Sequence, residues 1–461
     1  MHTCLSSPAH WAQTEFGLAP LGDSRRTDRL ITVAARLAAN PGGTLPQAMS
    51  DWAELKAAYR LLNASHVTFQ RVSATHWERT LQACRQPGEY LLVEDTTALC
   101  FNGRPGCEDL GVIGDNKARG LELHSTLAVR IEAWNLEQRP EGTVVGLLHQ
   151  QCSAPRLRPK GETRAQQLAR PRRSDKWAES IRCVGRRPEG VRWVYCGDRE
   201  TDFYEALDTC RQHGVDFVIR NCHDRRLADA AGHLWKAVAH APLLGCTTVE
   251  VRARAGQPAR TAILEVRSMR VDLDGPWRPG GWCDALKDVG VVELREVNAP
   301  EGLKEPLHWI LLTSLPCETW AQAQRVVGYY TARWWIEEYH KGLKSGTGIE
   351  HSQLAKAYRL ESLVAVLAIV AVRLLSTKML ARSRPESFEA AKSFGKEMLL
   401  LLEQKIGKPK GGWTNKNVLI ATARLGGFLG RKHDGLPGWQ TIWRGWHRLI
   451  WMREGADLIC G

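Results

Sequence analysis

The sequence predicts an α/β protein: a mixed β-sheet core flanked by helical N- and C-terminal segments. Three observations carry this reading. Residues 90–97 and 191–198 are apolar, strand-like runs that lead into an acid, Asp95 and Asp198. Residues 319–344 keep a helical pattern rich in Ala, Gln and Arg. The stretches before residue 70 and after residue 350 read as helices.

Composition bounds the answer. The 461 residues suggest roughly two to four domains or subdomains, divided here at about 1–70, 71–350 and 351–461. With 43% hydrophobic and 25% charged residues, the chain can bury a full core. A net charge of +13 and a pI near 9.2 favour a polyanionic partner, nucleic acid first. Eighteen tryptophans are many; some can stack on unpaired bases, although most suit a core. The thirteen cysteines contain no CxxC pair and no zinc-like Cys/His spacing, which points to free thiols in a reducing cytosol. Residues 1–16 lack the apolar segment of a signal peptide. The longest apolar run, 363–372, is too short to span a bilayer and reads as a buried helix.

The first element is a helix opening at residues 21–30, capped by Asp23 or Ser24, with Leu30, Val33, Ala34 and Leu37 as its apolar stripe. Arg25, Arg26 and Arg29 crowd its first turn against the helix dipole, so either DNA or plain solvation favours them there. With a second helix at about 50–62, this segment suits a DNA-end-binding module.

The strand at 90–97 comes next. Asp95 shares a face with Leu91 and Val93, while Glu94 takes the other face. A carboxylate ending an apolar strand is costly unless satisfied, so Asp95 is either a metal ligand or a cap on the turn into Thr96 and Thr97. Strands at 123–131 and 144–150 complete an antiparallel meander. A basic connector follows at 154–176, with Arg156, Arg158, Lys160, Arg164, Arg170, Arg172, Arg173 and Lys176; it is either solvated or laid along phosphates. The strand at 191–198 delivers Asp198 as second candidate metal ligand, with Asp202 as fallback. A helix at 202–213 and a strand at 216–220 ending in Arg220 follow.

Residues 222–318 read as a β-rich insertion, with strands at 247–253, 260–271, 289–297 and 308–313 and a Pro/Gly turn at 275–281. Trp309 lies in the last of these strands. Beyond residue 350, residues 363–375 are apolar all round, and further helices fall at 418–428 and 439–451.

The helix at 319–344 holds the candidate centre. At ~100° per residue and with Tyr330 at zero, Arg333 falls near ~−60°, Glu337 near ~−20°, Lys341 near ~+20° and Lys344 near ~−40°. Glu338 falls near ~+80° and points elsewhere. The ridge is either a solvated face with i,i+4 pairs or a carboxylate framed by cations and aromatics, which would hold a metal and a polyanion together.

The spacing Tyr330, two residues, Arg333, three residues, Glu337, six residues, Lys344 resembles the YREK signature of the bacterial DDE cut-and-paste transposases of the insertion-sequence-four family. Glu94-Asp95-Thr96-Thr97, Gly146-Leu147-Leu148-His149-Gln150, Asp198-Arg199-Glu200-Thr201-Asp202 and Trp443-Arg444-Gly445-Trp446 resemble phrases of the same family, in order. The order of three strands, a strand, a helix and a strand is that of a ribonuclease-H-like fold, whose prediction is that Asp95, Asp198 and Glu337 meet.

The resemblance implies a transposase that cuts inverted-repeat ends through a hairpin intermediate and joins the 3′-hydroxyls to target DNA. It implies that Asp95, Asp198 and Glu337 hold two Mg²⁺ ions, with Mn²⁺ as a substitute. Tyr330, Arg333, Lys341, Lys344, Arg199 and Arg220 would contact DNA, as would Arg25 and Arg26 at the transposon end. Trp309 would stack on a flipped base, a core role being the alternative. The C-terminal helices would pair two protomers, and the protein would be cytoplasmic and nucleoid-associated. Two other readings stay open: a catalytically silent DNA-binding regulator, which would lose an acid, and a ribonuclease-H-like nuclease without strand transfer, which would need no end-binding helices.

Overall fold

The computed structural model describes residues 7–460 except 103–105, 108, 115–117, 156–160, 164–165, 167–171, 173, 229–231, 252–257, 279–280, 304 and 432–433. Arg156, Arg158, Lys160, Arg164, Arg170 and Arg173 of the basic connector therefore lie outside the described residues, as do 252–253 of the expected strand and 279–280 of the expected turn.

Five helices open the chain: α1 (Pro8–Phe16), α2 (Ser24–Ala39), α3 (Leu45–Ala48), α4 (Trp52–Leu62) and α5 (Phe69–Cys84). Asp23 caps α2, accepting from the Arg25 N–H at 2.9 Å, and the stripe Leu30, Val33, Ala34 and Leu37 is buried. The tension expected at this helix start is relieved locally. The Arg25 guanidinium folds back onto the Asp23 carboxylate at 3.0 Å, and Arg26 donates to the Leu21 carbonyl at 3.0 Å.

The centre is one ten-stranded sheet. Its first half comprises β1 (Gly88–Cys100), β2 (Gly111–Ile113), β3 (Ala118–Trp134) and β4 (Pro140–Ser153). After α6 (Asp175–Val184) come β5 (Val191–Gly197), α7 (Tyr204–Gln212), β6 (Asp216–Arg220) and α8 (Leu234–Ala239). Then follow β7 (Leu243–Val251), β8 (Arg260–Leu273), a two-stranded ribbon β9 (Trp277–Arg278) and β10 (Gly281–Trp282), β11 (Leu286–Glu296) and β12 (His308–Thr313).

The order is β2-β3-β1-β5-β6-β12-β11-β8-β7, with β4 also on β3. β1 pairs antiparallel with β3 and parallel with β5. The strands expected as an insertion thus extend this same sheet, because β12 pairs with β6 and covers what would otherwise be an open edge.

Alternation along β1 builds two cores. Leu91 and Val93 face one layer, with the N-terminal helices and the helices after β12. Tyr90 and Leu92 face the other, with Trp177, Leu207 and Leu234 from α6, α7 and α8.

The last helices are α9 (Trp320–Ala332), α10 (Trp334–Lys341), α11 (Ala357–Ser383), α12 (Glu389–Ile406), α13 (Asn415–Leu425) and α14 (Trp439–Cys460). Thr319 and Gln322 form a capping box at the start of α9. The single helix expected over 319–344 is broken at Arg333 and ends in a π-helical turn, Gly342–Gly346. The break is a tightened turn: the Arg333 N–H bonds to the Tyr330 carbonyl and the Ile336 N–H to the Arg333 carbonyl, each at 3.1 Å.

Close packing fixes α9 on the sheet. A Cβ at Gly328 would stand 2.0 Å from the Gln138 carbonyl oxygen. Arg325 and the Tyr329 hydroxyl both engage Glu89 of β1. α11 is long and apolar enough to cross a membrane, yet 89% of its apolar window is buried here, so it serves as a core helix.

Candidate active site

Register brings two acids together. The pairing of β1 with β5 ends at Val93 opposite Cys196. Asp95 and Asp198 each stand two residues beyond that pair, hence on the same face of adjacent parallel strands. Asp198 directly follows β5. Asp95 does not sit at a strand end as expected: β1 continues to Cys100, paired with β3 alone, and the departure of β5 leaves room beside it.

The third acid comes from α10, one turn after the break. Arg333 links the elements, its Nη1 lying 3.5 Å from Asp95 Oδ2 and 3.6 Å from Glu337 Oε1. The Thr96 N–H donates to Asp95 Oδ1 at 2.7 Å. Burial and the carboxylates of Asp198 and Glu337 push the Asp95 carboxyl up to about 7, against the pull of Arg333 and the Thr96 N–H. Positive charge is therefore short here, and the excess of carboxylate oxygen fits a hard divalent cation. A carboxylate oxygen from Asp95, one from Glu337 and a ring nitrogen of His340 lie within 4.8 Å of one another.

His340 was not singled out from the sequence. It is buried, and burial together with the cations Lys344 and Arg333 pushes its imidazole down to about 3, so the ring is neutral. A legible signal existed: Glu337-x-x-His340 is an i,i+3 pair, and such pairs place two ligands on one helix face.

The neighbouring acids are spent elsewhere. Glu338 accepts from Trp439 Nε1 at 2.8 Å and pairs with Lys378 and Lys341. Asp202, the fallback ligand, lies in another cluster with Cys222 and His223. Its Oδ2 accepts from Asn221 Nδ2, Cys222 N and His223 N at 2.7–3.1 Å, and its Oδ1 takes Arg225 at 2.5 Å. Those bonds use the lone pairs a metal would need.

On the opposite face of β1, Glu94 is sealed. It meets His124 Nε2 at 2.7 Å, and His124 Nδ1 meets Thr96 Oγ1 at 2.9 Å. Burial raises the Glu94 carboxyl well above its usual range and lowers the His124 imidazole well below its own. The pair braces Thr96, whose N–H holds Asp95.

Among the other expected residues, Trp309, Tyr330 and Arg220 cluster. The Trp309 and Tyr330 rings stand edge to face at 5.3 Å, and the Arg220 guanidinium lies 5.9 Å from the Trp309 ring. Arg333 stands 6.0 Å from the Tyr330 ring. Lys344 is half-buried in the π-helical turn. Lys341, expected on the same ridge, is turned towards Trp334, 4.8 Å from its ring, and towards Glu338 at 3.9 Å. Arg199 is exposed just after Asp198, and Arg25 and Arg26 stand on α2.

Fold and site together define a ribonuclease-H-like α/β core with converging acids. The chain matches the Transposase DNA-binding family over residues 8–67 and the Transposase DDE domain family over residues 192–373. It is a DDE transposase, an enzyme that cleaves DNA and transfers strands with divalent metal. A cryo-EM structure of a piggyBac transposase synaptic complex with hairpin DNA is similar to this chain at a TM-score of 0.41 and 8% identity, over 85% of this chain and 80% of that one.

Proposed function

We propose that this chain is a cut-and-paste transposase of the insertion-sequence-four type, binding the terminal inverted repeats of a bacterial insertion sequence, cutting its ends through a hairpin and joining the 3′-hydroxyls to target DNA. The observation that carries this is that Arg333 links Asp95 of β1 to Glu337 of α10, with Asp198 beside Asp95 on the same face of the neighbouring parallel strand. Those three acids would hold two divalent ions, Mg²⁺ with Mn²⁺ as a substitute. Bound there, such ions supply an activated water or 3′-hydroxyl and charge stabilisation of the leaving oxygen.

The remaining roles belong to the chain. Arg333 keeps Asp95 and Glu337 in register and offers its outer edge to a phosphate. Trp309, braced by Tyr330 and Arg220, gives an aromatic edge against which an unpaired base stacks. Arg199 and Lys344 line the approach for the DNA backbone, while Lys341 is held aside by Trp334 and Glu338. α2, with Arg25 and Arg26, reads the transposon end, and the C-terminal helices pair two protomers in the cytoplasm.

The test is a cleavage and joining assay on DNA carrying the flanking inverted repeats, with Mg²⁺ or EDTA. Hairpinned ends and joined product, only with metal, support the reading. Cut ends that never join indicate a nuclease, and bound but uncut DNA a regulator; either outcome overturns it.

A further inference from the structure

We infer that His340 is a ligand of the divalent ion shared by Asp95 and Glu337, so that this position takes a mixed oxygen and nitrogen donor set and favours Mn²⁺ over Mg²⁺. The inference rests on the three-acid reading above and goes beyond it.

Three buried histidines occur among the described residues: His76, His124 and His340. Two of them spend both ring nitrogens on the protein. His76 meets Glu15 through Nδ1 at 2.7 Å and receives the Leu147 N–H on Nε2 at 3.0 Å. His124 meets Glu94 and Thr96. His340 differs: its Nε2 is sealed from solvent and has no hydrogen-bond partner. An imidazole nitrogen buried unbonded costs about 1–3 kcal/mol, and native proteins rarely leave one so without reason.

Position supplies the reason. His340 is 5% exposed, and its ring offers a nitrogen within 4.8 Å of the Asp95 and Glu337 oxygens. An ion held at about 2.1 Å by each would need ligand separations of roughly 3 to 4.3 Å, which small side-chain rotations reach. Glu337 and His340 sit three residues apart on one face of α10, so a single rigid helix presents both donors.

The consequence is selectivity. Mg²⁺ demands oxygen donors and gives up its water reluctantly. Imidazole suits the first-row transition ions, whose affinity for a nitrogen-bearing site rises from Mn²⁺ onwards. The three carboxylates alone predict an oxygen-only site, and His340 changes that set.

The experiment uses the full chain with Mn²⁺ alone and reads pulsed electron paramagnetic resonance. Wild type is expected to show the ¹⁴N modulation of a directly bonded imidazole. His340→Ala and His340→Gln are expected to lose that modulation and weaken Mn²⁺ binding at least about tenfold, since even outer-shell partners are worth that much. Mg²⁺ affinity, followed by competition, is expected to change less than about threefold. The ¹⁴N readout on wild type does not depend on either variant folding. Bound Mn²⁺ without ¹⁴N modulation overturns this inference while leaving the three-acid site intact. Mn²⁺ binding that survives Glu337→Gln, or no binding by wild type, overturns the three-acid reading and this inference with it.

Discussion

Two clusters in this protein look alike by composition. One joins Asp95, Glu337 and His340; the other joins Asp202, Cys222 and His223. They differ in what their donors are doing. Asp202 is saturated by two backbone N–H groups, an amide and Arg225, and so works as a structural pin for the loop after β6. At the first cluster Arg333 and the Thr96 N–H face Asp95, Arg333 also faces Glu337, and His340 Nε2 has no hydrogen-bond partner among the described residues. Spare lone pairs, rather than residue types, separate a reactive site from a well-made turn.

The largest effect that would break this contrast is at Glu337. Glu337→Gln is expected to lower cleavage of inverted-repeat DNA on the order of 10²–10³-fold or more while end binding, read by gel shift, persists. Equal loss in Glu338→Gln would show that the helix face does not decide the matter.

The mirror experiment is at the other cluster. Asp202→Ala strands a half-buried Arg225 and three donors, and is expected to cost about 3 kcal/mol in denaturant unfolding with Mn²⁺ affinity unchanged. Loss of metal with stability intact would exchange the two assignments.

A third variant sharpens the electrostatics. Burial and the neighbouring carboxylates push the Asp95 carboxyl up to about 7 from its ordinary 3.8, so the folded state holds this proton more tightly. Its contribution to stability is full below pH ~4 and is lost as pH rises to about 7. Asp95→Asn escapes that loss. Without metal its Tm is expected to match wild type at pH 4 and exceed it by about 2–4 °C at pH 8, a gap that saturating Mn²⁺ erases by stabilising wild type alone. A gap that shrinks with rising pH would reverse the sign of this account.

The smallest effect on cleavage is expected at Glu338. Glu338→Gln keeps an acceptor for Trp439 but unpairs the buried Lys378, for a loss of about 3 kcal/mol in stability with cleavage largely retained.

How legible this was depends on the range of the interaction. Strand runs around Asp95 and Asp198 were readable because alternation is local, and the turn of an α-helix separated Glu337 from Glu338. The break at Arg333 was not readable, since the residues around it favour helix and the tightened turn arises where α10 swings onto β1. The strands after β6 were seen, but their pairing with β6 was not, because no local signal tells a separate sheet from an extended one. Lys341 followed from ideal helical geometry and is turned instead by Trp334 and Glu338. His340 is neutral, so the charge pattern of the ridge does not mark it; only its three-residue spacing from Glu337 does.

The parallel pairing of β1 and β5, closed by α10, also sets a timetable. Asp95 and Glu337 lie about 240 residues apart, and at ~5–20 residues per second ribosomal synthesis takes roughly ten seconds to a minute to cover that span. The helices at the start of the chain leave the ribosome long before the last acid exists. If the proposed three-acid site holds, a newborn chain gains its end-binding helices well before it can cut, since cutting waits for α10.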